Sequence, residues 1–208
     1  MTDAQLMAEI RDEWGATIGV ACQASSVPPA FLAALVANES GGDPNASRFE
    51  PGVLAAIWQV LLGRKATYGS IGRDDLLLYV LPGSVPAISG DPAAVAALFS
   101  GAFKRVGDLA TSWGLTQVMG YHVLEETAGV TLTEDLAIFS KALPATLRLL
   151  SQFAQRFGLD LTKDFRELLT CWNTGEPNGK TADPDYVDKG IRRMGIYAQF
   201  EPAAGVAS

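Results

Sequence analysis

Pro29-Ala30-Phe31-Leu32-Ala33-Ala34-Leu35-Val36-Ala37-Asn38-Glu39-Ser40-Gly41-Gly42 is an apolar run that ends on an acid, a hydroxyl and two glycines. At helical period Phe31, Leu32, Leu35 and Val36 form one stripe, and Glu39 falls on it, four after Leu35 and three after Val36. Burial there disfavours the charged carboxylate and raises its pKa. Gly41-Gly42 predicts that the helix stops at this point. One acid held half-dry at a helix end suits the protonation of a leaving glycosidic oxygen. A helix-end glutamate that simply turns to water is the other reading of the same stretch.

The 208 residues, 48% hydrophobic and 19% charged, suit one domain over 1–208 with its own core and no need of staples. A net charge of −7 argues against nucleic acid or an anionic surface as the main partner. Cys22 and Cys171 are too few for a metal cluster or a disulfide framework, although a single bridge between them stays open. No apolar stretch approaches the length of a membrane span. Met1-Thr2-Asp3-Ala4-Gln5 lacks the basic start and apolar core of a signal peptide. The chain is therefore expected to be made in the cytoplasm, with delivery to any outer substrate left to another agent.

Glycines and prolines divide the chain into a string of expected helices. The first covers about residues 3–14, with Leu6, Ile10 and Trp14 on one face. The Glu39 helix follows Pro28-Pro29, and Pro51 opens another over about 51–62. Residues 63–90 are the hardest to read: 76–81 suits a short strand or a helical turn, and a small hairpin is expected in this region. Asp91-Pro92 predicts a cap and helix start leading to about 106. Further helices are expected over 115–127, 134–143, 144–157, 164–172 and 184–198, with a frayed tail at 201–208. The expected fold is mainly α, one domain, with a small β-hairpin.

Two later segments bear on Glu39. In Ser112-Trp113-Gly114-Leu115-Thr116-Gln117-Val118-Met119-Gly120, Gly114 is read as a tight entry to a helix burying Leu115, Val118 and Met119. Gln117 then points elsewhere, as an amide donor and acceptor. Cys171-Trp172-Asn173-Thr174-Gly175, followed by Tyr186-Val187, sets two aromatics and an amide around a glycine turn. Flat apolar faces and amides are what binding of pyranose rings and N-acetyl groups calls for.

In this order the three segments resemble the signature motifs of the lysozyme-like transglycosylase superfamily, which includes soluble lytic transglycosylases, goose-type lysozymes and phage endolysins. Glu39-Ser40 is similar to its catalytic Glu-Ser motif. Gly114-Leu115-Thr116-Gln117-Val118-Met119 is similar to its Gly-Leu-x-Gln-(Ile/Val)-Met motif, and Trp172-Asn173-Thr174-Gly175 with Tyr186-Val187 to its Tyr-Asn-x-Gly and Tyr-Val elements. Arg48-Phe49-Glu50-Pro51 also resembles phage-type muramidases. Two departures stand out: Trp172 replaces a tyrosine, and Glu39 and Gln117 lie farther apart than in the compact transglycosylases.

The resemblance implies a lysozyme-like fold and a bacteriolytic hydrolase of bacterial peptidoglycan. Its cut would fall on the β-1,4 bond between N-acetylmuramic acid and N-acetylglucosamine, with Glu39 as general acid. It implies no cofactor or metal, a monomer, and action on the cell wall after release in phage-type lysis. Ser40, Gln117, Met119, Trp172, Asn173 and Tyr186 become the expected substrate contacts. Ser40 is read as support rather than as a nucleophile, and His122, the one histidine, as structural. A hydrolase needs a second carboxylate, about 6.5–9.5 Å away in an inverting enzyme, and nearer in a retaining one. Glu50 leads Asp43 and Asp108 for that place, with a helix N-terminal charge as its alternative role. A lytic transglycosylase needs no second acid, because the 6-hydroxyl of the substrate attacks and leaves a 1,6-anhydro end. A chitinase on the same scaffold and a silent wall-binding or phage structural module are the other open readings.

Overall fold

A computed structural model describes residues 1–81, 92–125 and 130–200. The expected cap at Asp91 and the expected frayed tail lie outside the described residues. The fold is mainly helical with a small antiparallel sheet. Helix α1 (Asp3–Gln23) starts in a capping box, in which Thr2 Oγ accepts from the Gln5 amide and Thr2 N donates to Gln5 Oε1. It runs nine residues past the expected end because Ile18 and Cys22 continue its buried face, outweighing the modest helix cost of Gly15 and Gly19. Helix α2 (Pro29–Glu39) begins with proline at its first position. It is buried on every side from Ala30 to Ala37 rather than along one stripe, which makes it the central rod of the fold.

Strand β1 (Ser47–Phe49), α3 (Pro51–Leu61), the hairpin β2 (Thr67–Tyr68) and β3 (Ile71–Gly72), and α4 (Arg73–Val80) follow. The expected hairpin is therefore present, and the 76–81 segment is mostly helix. After α5 (Pro92–Leu109) come β4 (Thr111–Trp113) and β5 (Val118–Met119), which complete a three-stranded sheet in the order β1-β4-β5. Ser47 pairs with Trp113, and Ser112 with Met119.

Over 115–125, the described part of the helix expected at 115–127, no α-helix is formed. Gly114 at φ +69° and Gln117 at φ +52° instead make a tight turn, closed by Gln117 N donating to Gly114 O at 3.2 Å. A Cβ on Gly114 would lie 2.5 Å from the Leu136 carbonyl oxygen, so glycine is required by space as well as by φ. Residues Gly120–Leu124 and Thr133–Ala137 are short 3-10 turns. The two helices expected over 134–157 are one, α6 (Phe139–Phe157), which continues through Pro144. Pro144 forfeits a hydrogen bond there, and burial of Leu143, Ala145, Thr146 and Leu150 offsets the loss. Helices α7 (Phe165–Thr174) and α8 (Tyr186–Ala198) close the chain.

The apolar side chains form two clusters. One joins α1, α2, α7 and α8 to the Phe139, Leu143 and Leu150 face of α6. The other joins α3, α4, α5 and β5 to its Ala142 and Ala145 face. Trp172 packs against both.

Candidate functional site

Glu39 is the last residue of α2, carried to its place by the buried rod behind it. Ser40 ends the helix: its N–H and its hydroxyl both donate to Val36 O at 3.1 Å, and its Oγ accepts from Gly42 N at 3.2 Å. Gly41 and Gly42, at φ +62° and +86°, then reverse the chain as their sequence predicts. Ser40 is thus engaged in the helix end and does not line the adjoining cleft.

That cleft encloses about 480 Å³, and Glu39, Glu50, Gln117, Met119, Trp172 and Asn173 all line it. Residues from α2, β1, α3, β5 and α7 therefore converge, although Glu39 and Asn173 stand at opposite ends of the motif set. Tyr186 is placed differently from the expected sugar contact. It is 6% exposed, and its phenol donates to Glu39 Oε1. Burial pushes the Glu39 carboxyl up to about 6, against the phenol bond and the Arg48 charge, which both favour the anion. The same burial, together with the facing carboxylate, pushes the Tyr186 phenol far above its ordinary value.

A second set of bonds holds this pair in register. Asn38 Nδ2 donates to Tyr186 O at 2.8 Å, and Arg193 Nη1 donates to Asn38 Oδ1 at 2.8 Å and to Ala37 O at 2.9 Å. Arg193 Nε in turn donates to Asp3 Oδ1 at 2.9 Å, so α1, outside the motif set, is tied to the acid's helix. A guanidinium on the last carbonyls of α2 also complements the negative end of that helix. Close approach of α8 depends on Gly190, where a Cβ would lie 2.6 Å from Leu169 Cδ1 and 3.0 Å from Asn38 Nδ2.

Glu50 precedes α3 and makes no side-chain cap bond; its Oε1 instead accepts from Arg48 Nε at 2.6 Å. The other two acids considered lie off the cleft wall. Asp43 Oδ1 accepts from Asn45 N at 2.9 Å within its own turn, and Asp108 pairs with Lys104 at 2.7 Å. Gln117 lines the cleft with its amide already engaged: Nε2 donates to Ala46 O and Gly114 O, and Oε1 accepts from Ser112 Oγ at 2.7 Å. It holds β1 to the β4–β5 turn.

Tyr68, Tyr121 and Phe153 also line the cleft and had no sequence signal. Tyr68 and Tyr121 meet edge-on at 5.1 Å, a contact between residues far apart in the chain. His122, expected to be structural, has Nδ1 2.7 Å from Glu125 Oε2 and also reaches the cleft. Cys22 and Cys171 are both buried and neither is in a disulfide, so the bridge left open by their spacing is not formed. Among the described residues, no group of three or more His, Cys, Asp or Glu is placed to hold a metal, and no helix is long and apolar enough to cross a membrane. Compared with known proteins, the chain matches no family model, no curated sequence and no solved structure.

Proposed function

We propose that the chain is a peptidoglycan-cleaving glycosidase that cuts the β-1,4 bond between N-acetylmuramic acid and N-acetylglucosamine, with Glu39 as general acid. The observation that carries this reading is a carboxyl pushed up to about 6, on the wall of a cleft also lined by Trp172, two tyrosines and the Asn173 amide. Tyr186 occupies Oε1, so the transferable proton resides on Oε2. Donated to the glycosidic oxygen, it lets the leaving sugar depart as an alcohol. Trp172 and the tyrosines supply flat faces for the rings. Glu50 shares the cleft and favours hydrolysis over anhydro formation, because it can orient or deprotonate an incoming water. Release from the producing cell, as with a phage endolysin, belongs to the same proposal.

Incubation with purified peptidoglycan and with chitin, followed by mass spectrometry of the soluble products, tests it. The expected result is muropeptides with reducing ends. Anhydro ends would make the chain a lytic transglycosylase, and products from chitin alone would make it a chitinase. Binding to the wall without any product would leave a sugar-binding module.

A further inference from the structure

The cleft continues beyond the reach of Glu39. A second hollow of about 560 Å³ opens from it and shares Tyr121, His122, Leu149, Phe153 and Gly175 with the first. Its own walls are Gln152, Gln155 and Arg156 from α6, with Glu125 opposite. The Glu125 carboxylate is already engaged: Oε2 lies 2.7 Å from His122 Nδ1 and 3.8 Å from Arg148 Nη2, while Oε1 accepts from Ser70 Oγ at 3.0 Å. Arg156 pairs with no carboxylate among the described residues, and its guanidinium lies 4.9 Å over the Phe157 ring. The Gln152 amide oxygen accepts from Arg148 Nε at 3.1 Å, so the recess offers the Gln155 amide and the Arg156 cation, in a chain of net charge −7.

We propose that this second hollow receives the acidic peptide branch carried by the muramoyl sugar. Arg156 would pair with a branch carboxylate, and Gln155 with its backbone amides. The assignment rests on the glycosidase reading. A glycan without branches needs only a groove along its own axis, whereas a branched one needs room that opens sideways beside the bond to be cut. The second hollow shares a wall with the cleft and supplies room beyond it. The guanidinium fork matches a carboxylate, and the Gln155 amide, both donor and acceptor, suits a chain of peptide groups. The hollow is then a specificity device, separating peptide-bearing strands from chitin and from stripped glycan.

The experiment uses soluble glycan strands from peptidoglycan in two forms, one intact and one freed of its peptides by an amidase. The ratio of kcat/KM on intact strands to that on stripped strands should exceed one for the parent. In Arg156→Gln it should fall about two- to fivefold, the size of one exposed ion pair. Calorimetry on Glu39→Gln protein, which reads binding without turnover, should show the same preference and its loss when Arg156→Gln is added. An unchanged ratio, or equal losses on both strands, overturns the branch site while leaving the glycosidase reading in place. If neither strand is bound or cut, the glycosidase reading fails and this assignment with it.

Discussion

Tyr186→Phe removes one hydrogen bond and keeps the ring that packs between α2 and α8. In the parent, burial raises the Glu39 carboxyl to about 6 while the phenol bond to Oε1 and the Arg48 charge pull the other way. Loss of the phenol leaves burial opposed only by Arg48, so the acid form persists to higher pH. A hydrogen bond to a charged group contributes about 1.5–3 kcal/mol, and one pKa unit is about 1.4 kcal/mol. Glu39 lines a cleft that solvent enters, which favours the lower end, a rise of about one unit. At pH 7 the protonated share would then grow from about one molecule in ten to about half. Titration of the Glu39 side-chain carboxyl by carbon NMR measures this without any substrate, and the alkaline limb of the pH–rate profile should move upward by the same amount. A Glu39 pKa that stays in place or falls in folded Tyr186→Phe would refute the reasoning.

Glu39→Gln should abolish wall cleavage, with a loss of about 10²–10⁴ for a general acid, and it should also stabilise the fold at neutral pH. A carboxyl raised from 4.5 to about 6 keeps its proton longer in the folded state, so stability falls as pH rises through that window. The glutamine variant escapes this loss of at most about 2 kcal/mol, and denaturant melts at pH 4 and pH 7 should show the difference. Glu50→Gln should sharply lower turnover if water attacks; a near-normal rate with anhydro products would refute the hydrolase assignment. Gln117→Ala should cost about 1–3 kcal/mol in a thermal melt, because Ser112 Oγ, Ala46 O and Gly114 O each lose one of their hydrogen bonds.

Local chemistry, written in short stretches, determined much of this protein. Pro29 and Gly41-Gly42 bound α2, Pro51 starts α3, and the apolar run before Glu39 announces a buried helix with an acid at its end. The convergence of Glu39, Glu50, Gln117, Met119, Trp172 and Asn173 on one cleft was legible through the ordered motifs. Residues 115–119 were not legible, because Leu115, Val118 and Met119 satisfy a helical spacing as well as a turn and strand. A carbonyl from Leu136 against Gly114 and the Gln117 amide bond to Ala46 O, both long-range, selected the hairpin. Tyr186 likewise reads as an exposed stacking ring until α8 is laid on α2, where Gly190 allows close approach and Asn38 holds the tyrosine backbone. A pattern of residue types records what one segment prefers. Which carboxyl loses its water, and which phenol takes up its place beside it, depends on segments distant in the chain that meet only when the two cores close around α6.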